Sequence, residues 1–276
     1  MALFINTNVA SFNVQRHLEE SSESLNSSLE RLSSGVRINN AYDDAAGLAI
    51  ADKLNRDVRV VSQAVRNAND GISALAIGEK ALGNVGSVLS RLSELASQAA
   101  SGTVSDTQRS AIQAEFTALL SEVGRISNVT TFNGVQLLSA GTTVTLQVGL
   151  DGSTNSQITF TTVDGSVSGI LGVSQTSIAA STQASAQSAL GLLTSAIANV
   201  AQTRGTLGAV ESRLIQAVAN LRIAKENFAA AEGRIRDADV AAETAALTRA
   251  SILRQAGVAV LAQANQQPSL ALTLLR

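Results

Sequence analysis

Cysteine and tryptophan are missing from this chain, and proline, histidine, methionine and tyrosine occur once each. Without cysteine there are no disulfide staples and no thiolate metal sites, and either redox compartment is compatible. The single histidine, His17, leaves a zinc centre short of ligands and excludes a metalloprotease of the HExxH type. It reads as a polar helix residue with no special role. Aromatics make up 3% of the 276 residues, whereas a compact globular core of this length carries more large rings. No apolar run approaches the ~18 residues needed to span a bilayer. Charge is nearly balanced at −2, so there is no basic footprint for nucleic acid. The opening stretch, MALFINTNVASF, has neither a charged n-region nor an apolar h-region with a cleavage site. A cytosolic home follows, unless export uses a route without a cleaved leader.

What is present is helix at both ends and strand-like sequence only in the middle. Leu75, Gly78, Leu82, Val85, Leu89, Leu92, Ala96 and Ala99 fall at alternating three- and four-residue steps. Leu207, Val210, Leu214, Ala217, Leu221, Ala224, Phe228, Ala231 and Ile235 repeat the pattern near the other terminus. Each stripe keeps one face of a long helix turned to a partner. Two such arms far apart in sequence pair when the chain runs out, turns back and brings its ends together. The expected fold is mainly α, a long antiparallel helical bundle or coiled coil with one small β-hairpin and with N- and C-terminal arms paired.

Residues 1–34 carry a thinner helical pattern through Leu18, Leu25, Leu29 and Leu32, broken at Ser33-Ser34-Gly35. Asp43 and Asp44 are placed to complement the start of the next helix. That helix continues from Ile50 through Leu54, Val58, Val61, Val65, Ala68 and Ile72 to Gly102, on the order of 80 Å. Ser105-Asp106-Thr107-Gln108 matches a capping box. It opens a third helix with Ile112, Phe116, Leu119, Val123 and Ile126 at 4-3-4-3 spacing. Asn133-Gly134 marks a turn. Residues 144–148 and 158–162 alternate with period two around Asp151-Gly152, a β-hairpin with a longish loop. After Gly- and Ser-rich sequence, helix resumes from about Ala186 to Ile235. A last helical arm runs from Ala241 to Ala264, with the lone Pro268 just beyond.

Magnitudes separate the arms from the middle. An arm offers one leucine per turn or less, and burying it yields roughly 1.5–3 kcal/mol. Fixing the backbone of that turn costs about 1–2 kcal/mol per residue. Residues 1–40 and 237–276 are therefore expected to stay disordered until other subunits cover them.

Several blocks together resemble bacterial flagellin, in a short form without its variable outer domains. They are Ile5-Asn6-Thr7-Asn8; residues 31–54, RLSSGVRINNAYDDAAGLAIADKL; residues 131–138, TFNGVQLL; residues 250–266, ASILRQAGVAVLAQANQ; and the closing Leu272-Thr273-Leu274-Leu275-Arg276. The resemblance implies a structural subunit that polymerises helically into the flagellar filament for swimming motility. It implies an inner-core coiled-coil domain from 1–40 and 237–276 and an outer bundle from 41–140 and 184–236. Residues 141–183 would be a hairpin with a truncated variable insert, giving a thin, smooth filament. It implies an extracellular filament exported without a cleaved signal peptide. The implied partners are copies of itself, an export chaperone, the flagellar secretion apparatus, and the filament cap and junction proteins.

Site readings follow from the same resemblance. Arg91, Glu94-Leu95 and Gln113-Ala114-Glu115 are similar to the strip that vertebrate Toll-like receptors bind in some flagellins and that buries against a neighbouring subunit. On spacing alone, Arg91 and Glu115 form a solvated pair, and Leu95 lies off the main stripe, partly exposed. Leu272, Leu274, Leu275 and Arg276 look like the tail recognised by inflammasome sensors and, with the preceding arm, by the export chaperone. Their plain role is packing of the inner core. Asn128-Val129-Thr130 fits a glycosylation sequon by chance, and the Ser/Thr-rich stretch 142–182 is the better candidate for O-linked sugars. Paired acids such as Asp43 and Asp44, or Asp237 and Asp239, read as helix-start charges or inter-subunit contacts. No glycine-rich phosphate loop, metal site or catalytic constellation exists, so cofactors, catalysis and membrane insertion are not expected. The alternatives are a hook-filament junction protein of the same architecture and a coiled-coil signalling protein. The hairpin and the absence of an anchor argue against the second.

Overall fold

The computed structural model describes residues 7–139, 141–172, 174 and 178–274, with the backbone alone over 267–274. Its helices are α1 (Val9–Ser34), α2 (Ala45–Ala100), α3 (Asp106–Val129), α4 (Val167–Leu171), α5 (Gln183–Arg236) and α6 (Val240–Leu274). Four strands, β1 (Thr131–Phe132), β2 (Val135–Gln136), β3 (Thr143–Gln147) and β4 (Gln157–Thr161), form two antiparallel pairs. The chain divides into two compact units, Met1–Arg56 with Asn227–Arg276, and Asp57–Glu226.

In the Asp57–Glu226 unit the two long stripes meet as anticipated. Leu75, Leu82, Val85, Leu89 and Leu92 of α2 are buried together with Leu193, Leu207, Leu214 and Val218 of α5 and Phe116, Leu120 and Val123 of α3. The α3 stripe is turned slightly from its expected setting. Leu120 is buried, whereas Leu119 and Ile126 are only half-buried. Ser105 caps α3 as its sequence indicated. Its hydroxyl accepts from the Gln108 amide, and the Gln108 side chain accepts from the Ser105 amide at 3.0 Å.

Arg109 was not anticipated in any role. Its side chain is 5% exposed and paired loosely with Asp106. Its Nε donates to the Ala99 carbonyl at 3.1 Å, and Nη2 donates to those of Ser101 and Val104. The guanidinium thereby satisfies one carbonyl that the last turn of α2 leaves without a helical partner, that of Ala99, and ties down two carbonyls of the loop that follows.

The main hairpin pairs Thr143 with Thr161 and Gln147 with Gln157, one residue earlier than the alternation suggested. It docks on α2 through Asn67, whose Nδ2 donates to the Gln147 carbonyl at 3.0 Å. It docks also through Leu146, which lies where a Cβ on Gly71 would stand. The Asn133-Gly134 turn closes a second hairpin, β1–β2, where one was expected in the whole chain. Both turn residues have positive φ, 48° and 80°, the backbone that a two-residue type I′ connection demands.

In the other unit α1 and α6 lie antiparallel. Asn8 meets Ala264 at one end, and Arg31 approaches Glu243 at the other. Asn8 caps α1 by accepting from the Ser11 amide, and Gly35, with φ 73°, ends it. Asp44 serves the start of α2 by accepting from the Gly47 amide. Asp43 folds the preceding loop instead, accepting from the Asn39 and Asn40 amides. The two chain breaks in this unit are stitched side by side. Val36 bridges Asp237, the Arg37 amide donates to the Arg236 carbonyl at 2.6 Å, and the Ala238 amide donates to the Gly35 carbonyl.

α6 does not stop at Ala264, as expected, but runs through Pro268 to Leu274. Proline removes one helical hydrogen bond and crowds the carbonyl four residues back. That carbonyl belongs to Ala264, and Asn8 Nδ2 lies 2.9 Å from it.

Candidate functional site

Two surfaces carry the functional argument. The first is the α1/α6 pair. In α1 the buried residues are Ser11 and Ser28, and in α6 Ala250 and Ala264 are buried. Leucines such as Leu18, Leu25, Leu247 and Leu261 are only half-buried, and many large apolar side chains face outward, with Phe12 62% and Ile252 60% exposed and Val9, Leu253, Val258 and Val260 similarly bare. At 3.6 residues per turn, Ile252, Leu253, Val258 and Val260 are spread around the circumference of α6. An open groove of about 480 Å³ between the two helices is lined by His17, Glu20, Arg249 and Leu253 among others. The His17 ring makes an exposed contact with Glu20 at 3.0 Å. Gly257 makes room for Leu18, because a Cβ there would stand 2.9 Å from Leu18 Cδ1.

The second surface lies on the bundle, where α2 brings Arg91 against α3. Arg91 Nε and Nη2 both donate to Glu115 Oε1, at 3.1 and 2.9 Å, and Nη1 donates to Glu94 at 3.0 Å. All three side chains remain well exposed. The hydrogen bond to Glu115, and then that to Glu94, hold the Arg91 guanidinium above its ordinary pKa. The pairing of Arg91 with Glu115 is thus as sequence suggested. Leu95 is a correction, for it is 2% exposed. α2 is covered on more than one side, by α3 and by α5, so its buried arc is wider than the single stripe that spacing reveals.

The tail residues Leu275 and Arg276 lie outside the described residues, as do Ile5 and Asn6, and so do the side chains of Leu272 and Leu274. Asn128 of the sequon is exposed at the end of α3, while Thr130 is buried with its hydroxyl donating to the Ile126 carbonyl at 2.6 Å. Among the described residues no three His, Asp or Glu side chains gather as a metal centre would require, and no helix is long and apolar enough to cross a membrane.

Comparison with known proteins decides the family. Residues 5–143 match the model of the bacterial flagellin N-terminal helical region, and residues 190–275 match that of the C-terminal helical region. The chain belongs to the bacterial flagellin family. A flagellin of Halalkalibacterium halodurans is 41% identical over 99% of this chain and the whole of that protein. The crystal structure of Bacillus cereus flagellin is 27% identical, with a TM-score of 0.50 over 56% of this chain and 88% of that one. A hook-associated protein of Vibrio parahaemolyticus shares the fold, with a TM-score of 0.59 at 16% identity over 71% of this chain and all of that one.

The two flagellin models leave 144–189 between them, the stretch that holds most of the main hairpin, α4 and the start of α5. No separate outer domain is inserted there among the described residues. Arg109 and Asn8 are the residues that sequence reasoning passed over. An arginine four residues into a capped helix, and an asparagine two residues before the first helical alanine, were the available signals.

Proposed function

We propose that this chain is the structural, non-enzymatic subunit of a bacterial flagellar filament, assembling helically with copies of itself outside the cell and serving swimming motility. The apolar surface of α1 and α6 carries the reading. Covering a side chain such as Phe12 or Ile252 contributes about 1.5–3 kcal/mol, and neighbouring copies supply that cover reciprocally. A helix with apolar residues all around it is one enclosed by protein on every side. Full-length likeness to a flagellin supports the filament over a junction protein.

In this reading residues 1–40 and 237–276 form the inner core and become ordered on assembly. Residues 41–140 and 184–236 form the outer bundle, and 141–183 the hairpin and shortened insert. Arg91 and Glu115 contact the adjacent subunit, with Leu95 supporting the strip from beneath. In the free monomer the same strip is the surface offered to vertebrate Toll-like receptors. Leu272, Leu274, Leu275 and Arg276 pack in the inner core and are read by the export chaperone before assembly. The flagellar secretion apparatus delivers the chain, and cap and junction proteins bound the polymer.

Purified full-length protein seeded with short filament fragments tests this by electron microscopy. Long filaments are expected, with amide exchange slow in both arms only after assembly. Protein that stays monomeric under seeding and salting-out, with both arms already protected, overturns the reading.

A further inference from the structure

We infer that Asn8 and Pro268 act as one device, in which the start of the chain supplies the hydrogen bond that a proline near its end removes. In an α-helix the amide of residue 268 would donate to the carbonyl of residue 264. Proline has no amide hydrogen with which to make that bond, and a proline inside a helix crowds the carbonyl four residues back. The backbone of α6 is nonetheless helical from Val240 to Leu274. The carbonyl left over is the one that Asn8 finds, with Nδ2 donating to Ala264 O at 2.9 Å.

The orientation of the Asn8 carboxamide is set at both ends. Its Oδ1 accepts from the Ser11 amide at 3.0 Å, and that amide can only donate. Its Nδ2 faces a carbonyl, which can only accept. One residue thus caps α1 and completes α6. A second tie lies beside it, where the buried Ser11 hydroxyl donates to Asn265 Oδ1 at 3.0 Å. Aspartate at position 8 would keep the cap, since aspartate is as good an N-cap as asparagine. It would set a carboxylate oxygen against the Ala264 carbonyl. Serine would keep a shorter cap and reach nothing in α6.

The consequence is that helix beyond Ala264 depends on residue 8, at the opposite end of the sequence. A subunit damaged near its N-terminus loses order near its C-terminus as well, although Pro268 is untouched. Asn8 is a positioning residue, and the readout below rests on the filament reading only for the assembled state.

The test is amide exchange over residues 258–267 of the full-length chain, assembled and unassembled, for wild type, Asn8→Asp, Asn8→Ser, Pro268→Ala and the two double variants. In whichever state α6 is protected, Asn8→Asp and Asn8→Ser are expected to speed exchange there about tenfold, the worth of one hydrogen bond. Adding Pro268→Ala restores an amide to the Ala264 carbonyl, so both double variants are expected to return to within about twofold of wild type. Single variants that exchange like wild type, or double variants that stay as fast as the singles, overturn the inference. So does a wild-type chain with no protection over this stretch in either state. Failure of wild type to form filaments would instead count against the filament reading, since the exchange comparison is made in either state.

Discussion

The α1/α6 pair and the bundle of α2, α3 and α5 draw on the same small set of residues, leucine, valine, alanine and serine, and hide them very differently. In the bundle Phe116, Leu82, Leu89, Leu120 and Leu193 are buried among one another. In the helix pair the fully buried residues are small or polar, leucines such as Leu18 and Leu261 are only half-covered, and Phe12, Ile252 and Val258 face out. Both regions are well-formed helix with caps in place. What differs is who supplies the cover. The bundle carries its own, while the pair presents half of an interface.

Substitutions can break this comparison most directly at the two phenylalanines. Phe116→Ala is expected to cost about 3–5 kcal/mol in a denaturant melt of the full-length protein, the range for emptying a core site. Phe12→Ala is expected to leave that melt within about 0.5 kcal/mol, and to raise the concentration at which filaments form. Equal losses in the melt would erase the distinction.

Arg109→Met sharpens it next. The methionine keeps an apolar stem but takes the guanidinium donors from the carbonyls of Ala99 and Val104 and leaves Ser101 with the Val104 amide alone, a loss of about 1–3 kcal/mol by the same melt. Gly134→Ala should cost about 1–2 kcal/mol, because φ is 80° and the open space around it leaves only the backbone penalty. A wild-type melt in that variant would mean the small hairpin contributes nothing to the bundle.

The smallest effect concerns pH. The Ser156 hydroxyl, followed by that of Ser153, holds the Asp151 carboxyl below its ordinary pKa. A depressed folded-state pKa stabilises above the unfolded value of about 3.9 and is lost as pH falls through the folded one. Amide shifts in the loop joining β3 and β4 should therefore move on acidification below that point, and Asp151→Asn should abolish the movement.

Much of the bundle was legible because its signals are local. Leu75 to Ala99 and Leu207 to Leu221 declare their helices by spacing, and Ser105 with Gln108 declares a helix start. Val144 and Phe160 mark strands by alternation, to within one residue. Legibility failed where a residue answers to something distant. Leu95 is off the stripe of its own helix yet buried, because burial of α2 is set by α3 and α5 together. Pro268 reads as a stop, yet α6 runs through it, with Asn8 reaching the Ala264 carbonyl from the far end of the chain. Thr131 to Gln136 is too short for a period to be seen, and only the Asn-Gly pair hinted at the second hairpin. The Arg91–Glu115 pair was legible because Arg91 and Glu115 read as a solvated pair outside the apolar stripes, and the resemblance pointed to the same strip.

The stitched breaks at Gly35–Arg37 and Arg236–Ala238 work as a ruler for the arms. With the Arg37 amide committed to Arg236 and the Gly35 carbonyl to Ala238, α1 and α6 begin their antiparallel run from a common origin. Deleting one residue from either break would offset the helices by a step of about 1.5 Å along and 100° around. Leu18 would then miss the notch at Gly257, and Asn8 would fall short of Ala264, so an error at the joint would be felt along the entire length of the pair.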